Sequence, residues 1–212
     1  MSDALVQDRP VEGAEDSAKW RQIVEGARKV FMERGFDAAS MGDIAKAAGV
    51  SKGTLYVYFT DKDELFSAIV GRECTFQAEG VFQFDHADQN VEAVLRKHGA
   101  AFVQKMCDPS RLSSMRAVIA IADRMPDLGR KVYEAGPVVG VAHLSGYLRA
   151  MVDAGVLAID DIDVAAAQFI ETCHASMFKP VLFNFAPPPM PERIDYVVGI
   201  AVRTFLAAYR AK

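Results

Sequence analysis

Between Met41 and Phe66 the sequence reads MGDIAKAAGVSKGTLYVYFTDKDELF. Its residue types suit phosphate and base-edge binding better than bond-making chemistry. Ser51, Lys52, Gly53 and Thr54 crowd the start of a short helical pattern, followed by Tyr56, Tyr58 and Lys62. A helix N-terminus carries unsatisfied N–H groups and partial positive charge, which attract phosphate. Hydroxyl, ammonium and phenol tips are the donors used on phosphates and base edges. Gly53 lets a sugar-phosphate backbone approach where a Cβ would otherwise stand. From Lys19 to Lys62 there are eight Lys and Arg against five Asp and Glu, a local surplus of three in a chain of net charge -4. A nucleic-acid surface here is therefore a local patch.

Catalytic arrangements are missing from the pattern. No nucleophile elbow, His-Glu-x-x-His pair, phosphate-cradling glycine loop or cofactor fingerprint occurs. Cys173 and His174 are adjacent, so on a helix they point about 100° apart and make a poor dyad. The stretch FDHAD around His86 offers carboxylates and an imidazole, but polar residues are expected in such a turn; neither a metal nor a cofactor is expected. Cys74, Cys107 and Cys173 are odd in number and widely spaced, which fits buried thiols in a reducing compartment.

The helices that must position this stretch are legible around it. Trp20, Ile23, Val24, Ala27, Val30 and Phe31 recur at three- and four-residue steps, and Gly35 follows as a stop. Ser40 with Asp43 marks a helix start, and Met41, Ile44, Ala45 and Ala48 give that helix a narrow apolar side ended by Gly49. Ser51 caps the next helix, with Leu55 and Phe59 turned inward, and Asp61 with Glu64 opens a third. Two helices this short are marginal alone, so they must pack on the Trp20–Phe31 stripe. The spacing suggests a helix-turn-helix.

Downstream, helical periodicity continues in NVEAVLRKHGAAFVQKMCD, in SRLSSMRAVIAIADRM cut by Pro126, and in a short helix from Asp127 broken at Gly136–Pro137. Three further helices are expected: VVGVAHLSGYLRAMVDAG, DVAAAQFIETCHASMFKPVLF capped by Asp163, and Glu192 to about Tyr209. The expectation is an all-α protein of about nine or ten helices. Residues 1–18 read as a disordered acidic tail, with five Asp and Glu against Arg9 alone. The N-terminus lacks the apolar run of a signal peptide, and no membrane-spanning run appears.

The quoted stretch resembles the DNA-binding domain of the TetR family of transcriptional repressors. Ile44-Ala45, Ala48-Gly49-Val50-Ser51, Gly53, Leu55-Tyr56, Tyr58-Phe59, Lys62 and Leu65 match the family pattern; Ser40 and Met41 stand where a Thr is usual. The segment ARKVFMERGFDAAS before it is also similar. MPDLGRKVYEAGP and the helices after it resemble an AefR-like subgroup. The resemblance implies a three-helix helix-turn-helix domain over 19–66 and a larger helical effector-binding and dimerisation domain over 67–212. It implies contacts to a double-stranded operator at Ser40, Met41, Ser51, Lys52, Gly53, Thr54, Tyr56, Tyr58 and Lys62. It further implies a cytoplasmic homodimer that binds a roughly palindromic operator and is released by a small molecule.

Two sets of residues in the second domain fit that scheme. Phe169, Ile170 and Phe178, with Ile194, Val197, Val198, Ala201 and Phe205, lie on broad apolar faces of the last two long helices and could pair with a second copy or form internal core. Phe102, Met106, Met115, Ile119, Tyr133, His143, Tyr147, Met151, Cys173, His174 and Met177 mix soft apolar bulk with polar handles, as an adaptable effector pocket would. His143 and Tyr147, four residues apart, are its best polar pair. Alternatives are a DNA-binding regulator without a small ligand and an all-α enzyme.

Overall fold

The computed structural model describes residues 17–70 and 83–211. Residues 1–16 of the expected 1–18 tail, and Cys74, lie outside them, whereas Ser17 caps α1 and Ala18 begins it. The described residues hold eleven α-helices and one isolated antiparallel bridge, Leu157 with Arg210. The chain divides into two compact units, Met1–Arg72 and Glu73–Lys212.

In the first unit, α1 (Ala18–Ala38), α2 (Met41–Ala48), α3 (Lys52–Tyr58) and α4 (62–70) enclose one core. Trp20, Ile23, Ala27 and Val30 on α1 are buried against Ile44, Ala45, Leu55, Phe59, Leu65 and Ile69. This is the stripe that sequence spacing indicates. Gly35 breaks the helical course of α1 with φ 77° and ψ 167°. A Cβ at Gly26 would lie 2.6 Å from the Ala48 backbone, so α1 and α2 touch main chain to main chain there. Gln22 Nε2 reinforces the contact by donating to the Ala48 carbonyl at 2.6 Å. The sequence boundary drawn at residue 66 falls inside α4, whose Ile69 still packs in the first core.

The second unit runs through α5 (Val91–Met106), α6 (Pro109–Ile121), α7 (Pro126–Tyr133), α8 (Val139–Asp153), α9 (Ile162–Cys173), α10 (Phe178–Leu182) and α11 (Pro191–Tyr209). Helices α5, α8, α9 and α11 surround a core that includes Leu95, Val103, Leu148, Met151, Val198 and Val202. Helices α9 and α11 run antiparallel. Ala158 N donates to Tyr209 O at 2.8 Å beside the start of α9, while Arg193 at the start of α11 reaches Ser176 beyond the end of α9.

Three sequence expectations need correction here. Gly136–Pro137 does not end a helix: a π-helical turn, Glu134–Val138, carries the chain into α8. The wider turn accommodates a proline that has no N–H to donate. The long helix expected across 163–183 is two helices, with Ser176 between them at φ 63°. Pro180 cannot donate to the carbonyl four residues back, that of Ser176, and its ring would clash there. The cap of α9 is Asp161, whose carboxylate accepts from Val164 N at 3.0 Å, not Asp163.

Candidate nucleic-acid interface

Each element of the α2–α3 pair is fixed by a local device. Ser40 Oγ accepts from Asp43 N at 3.1 Å and donates to Asp43 Oδ2 at 2.6 Å, closing the first turn of α2. Arg34 on α1 meets Asp43 Oδ1 at 3.0 Å. The Ser40 hydroxyl, and then the Arg34 guanidinium, hold the Asp43 carboxyl below the usual carboxylate range. At the far end, Gly49 adopts φ 64°, ψ 35°, which an L side chain rarely takes. Gly49 N returns to Lys46 O at 3.2 Å and Val50 N to Ala45 O at 3.0 Å, the paired bonds of a Schellman ending. Ser51 then caps α3, accepting from Thr54 N at 3.0 Å and sharing a 2.8 Å bond with the Thr54 hydroxyl.

This capped pair presents one face of α3 outward. Leu55 and Phe59 are buried, while Ser51, Lys52, Gly53 and Tyr56 are exposed and Thr54 and Tyr58 are half-buried. Tyr56 is 52% exposed, so its phenol is available. Met41 and Tyr58 pack partly against the core, and the Ser40 hydroxyl is engaged by Asp43. The Lys52 side chain lies along α2: a Cβ at Gly42 would sit 3.1 Å from Lys52 Cε. Such a face can offer a cation, hydroxyls and a phenol to a phosphate backbone and to base edges.

Lys62 stands elsewhere. Its Nζ donates to the carbonyls of Phe36, Asp37 and Ala39 at 3.0, 3.1 and 3.3 Å and lies 4.6 Å from the Phe36 ring centroid. An ammonium has three protons, so the charge expected at a phosphate is engaged by the turn that joins α1 to α2.

In the second unit the expected effector residues do not converge. Ile119 and Tyr133 are 57% and 64% exposed, and His143 is exposed. Tyr147, its expected partner, is buried and donates to Asp88 O at 2.8 Å. Met151, Cys173 and Met177 are core residues; Met106, Met115 and His174 are half-buried. His174 rests between Phe102 and Phe178, with ring centroids 5.9 and 5.4 Å away. The apolar faces assigned to pairing are largely internal. Phe169, Ile194, Val197, Val198, Ala201 and Phe205 are buried within this chain's own core, and Ile170 and Phe178 are half-buried. Phe102, Phe169, Ile170 and Cys173 do meet, with Phe84, Leu95, His98, Gly99 and Leu144, around an apolar seam of about 10 Å³. Burial pushes the Cys173 thiol up to about 12.

The sequence matches two family models. The model for bacterial regulatory proteins of the tetR family covers residues 23–69, and that for the C-terminal domain of AefR-like transcriptional repressors covers 93–211. The chain belongs to the TetR family. Its members are DNA-binding transcriptional regulators, many of them repressors, rather than enzymes. A TetR-family structure from Mesorhizobium loti superposes with a TM-score of 0.84 at 27% identity, covering 95% of this chain and all of that one. The flavonoid-responsive regulator FrrA superposes at 0.77 with 28% identity, over 91% of this chain and 97% of its own. YvdT of Bacillus subtilis is 37% identical over 79 residues, and the repressor BepR of Brucella suis 39% over 75. Those two matches span 37% and 34% of this chain but only 41% and 36% of the relatives.

Within this TetR-family chain, two interface features escape the sequence pattern. Val57 is 60% exposed on α3, where an apolar branch could meet a thymine methyl; helical phase between buried Leu55 and Phe59 was its only signal. Gly42 leaves the space that Lys52 uses, and nothing local in the sequence marks it. In the second unit, Phe84 joins the seam from outside any helix. No helix among the described residues is long and apolar enough to cross a membrane.

Proposed function

We propose that this protein is a cytoplasmic, ligand-responsive repressor that binds a palindromic operator as a homodimer and leaves it when a small, largely apolar effector binds the second unit. The observation that carries the reading is the outward polar face of α3, fixed by the Gly49 turn and the Ser51 cap over a buried Leu55. In this reading the first unit contacts DNA with Ser51, Lys52, Gly53, Thr54 and Tyr56, and the second unit carries the effector and pairing surfaces. Two-fold pairing gives two such helices and two half-sites about one helical turn, or a multiple, apart. Val164 on α9 and Tyr196 and Ile200 on α11 are apolar and exposed, so they, not the buried face, supply the pairing surface. Repression by release needs a coupling of about 1–3 kcal/mol between effector and operator. The resemblance to FrrA, described as flavonoid-responsive, supports a small organic effector.

A second reading is a DNA-binding regulator without a small ligand, favoured by the size of the seam, about 10 Å³. That is near the space one water needs. Gel shift on DNA upstream of the protein's own coding region tests the first claim, with binding that weakens steeply as salt rises. Thermal-shift screening followed by operator release separates the two readings. A hit that stabilises the protein and frees the operator supports the first; a screen with no compound that does both supports the second.

A further inference from the structure

The apolar seam holds only about 10 Å³, too little for an effector as it stands, so binding at this seam requires one wall side chain to leave. Of the nine described residues in its wall, eight sit on α5, α8 or α9, which pack against one another in the core. The ninth, Phe84, comes from the non-helical strap 83–90 that precedes α5. The Phe84 ring stacks on Tyr147 at 5.3 Å and 21° and lies 4.4 Å from His98 at 42°. Aromatic pairs favour such offset geometry. The strap is shaped by its own turns, with Asp85 Oδ1 accepting from Ala87 N and Asp88 Oδ1 from Asn90 N, both at 2.9 Å. Tyr147 also holds it by donating to Asp88 O at 2.8 Å.

We infer that Phe84 occupies the place of a ligand ring, and that a neutral, flat aromatic molecule binds this chain by displacing Phe84 and stacking against Tyr147 and His98. This rests on the ligand-responsive reading and deepens it. Besides Phe84 and His98, the described wall includes Leu95, Phe102, Leu144, Phe169 and Ile170 with the Cys173 thiol. Burial raises that thiol further above neutral pH, to about 12. Among the described residues no Lys, Arg, Asp or Glu lines the seam, and His98 is its one basic group, so a neutral ligand enters without needing a counter-charge. A ring suits the site better than an acyl chain because the departing group is itself a ring held by two others.

The test is calorimetric titration of the full chain and its Phe84→Ala variant with 2-naphthol, and in parallel with decanoate as an anionic acyl chain. Wild-type protein must expel the Phe84 ring into water before it binds; the variant need not. The variant is expected to bind 2-naphthol on the order of tenfold to a hundredfold more tightly than the wild type, with no comparable gain for decanoate. No gain for 2-naphthol, or an equal gain for decanoate, overturns the proposal. Should Phe84→Ala fold poorly, Phe84→Leu, which keeps apolar bulk but not the ring, is read by the same two outcomes. Operator release is measured separately. Tight 2-naphthol binding by the variant with an intact operator complex upholds the aromatic site and refutes ligand-responsive repression.

Discussion

Lys62 Nζ lies 3.0 Å from the Phe36 carbonyl and 4.6 Å from the centroid of the Phe36 ring, so one ammonium joins the first turn of α4 to the end of α1. The Phe36 ring in turn meets Phe66 at 5.0 Å and Phe31 at 5.6 Å. Lys62 therefore holds the α1–α2 turn. Lys62→Met should lower stability by about 1–2 kcal/mol, since charged hydrogen bonds are lost and three carbonyls lose a donor. Denaturant unfolding measures this. Operator affinity should fall while the slope of log K against log salt stays unchanged. A phosphate contact would instead reduce that slope by about 0.9. Lys62→Arg should not restore binding, because a planar fork cannot replace a compact donor among three converging carbonyls.

On α3 the exposed and buried residues should separate. Lys52→Ala is expected to weaken operator binding and reduce the salt slope by about 0.9, one phosphate's worth. Tyr56→Ala should weaken binding with the melting temperature unchanged, because its phenol is exposed. Leu55→Ala, fully buried between them, should cost about 2–5 kcal/mol of stability. Thermal melts paired with anisotropy titrations on labelled operator distinguish the three.

Gly26 tests the packing that fixes α2. A Cβ there would meet Ala48 backbone atoms at 2.6 Å, and backbone cannot move aside as a flexible side chain can. Gly26→Ala should destabilise the first unit by about 1–3 kcal/mol, although alanine is the better helix former. Unfolding followed by Trp20 fluorescence reports on this unit; a neutral or stabilising result would show that α1 and α2 are not in backbone contact.

Tyr147 gives a pH signature. Burial, and then the charges of Asp88 and Asp85, raise its phenol from 10 to about 12. A group raised on folding contributes stability that is complete below its unfolded value and is lost as pH rises through the folded one. Between pH 9 and 11 the wild type should therefore lose about 1 kcal/mol more stability than Tyr147→Phe, which has no proton to lose. Denaturant titrations at the two pH values measure the difference.

The local devices of α2 and α3 were legible because each is written within a few residues: Ser40 with Asp43, Gly49 and Ser51. What failed was non-local. An exposed lysine beside a phosphate and a lysine capping carbonyls from another helix have the same local sequence, so the bonds of Lys62 to the Phe36, Asp37 and Ala39 carbonyls are not legible there. Periodicity shows that Val197, Val198, Ala201 and Phe205 share an apolar face but not what covers it; their own core does. Bulk and polarity suit Ile119 and Tyr133 to a pocket wall, yet both lie outward on α6 and α7. The split of α9 from α10 was within reach, since Pro180 forbids the bond to Ser176, but the flanking apolar period masked it.

The central claim is that the outward face of α3 reads a duplex. The most direct measurement is a footprint of the full-length protein on DNA selected from random sequence, repeated with Lys52→Ala and Tyr56→Ala. The expected result is two protected half-sites related by an inverted repeat and lost in both variants at unchanged melting temperature. Selection that enriches no sequence, or variants that protect the same DNA with equal affinity, would contradict it.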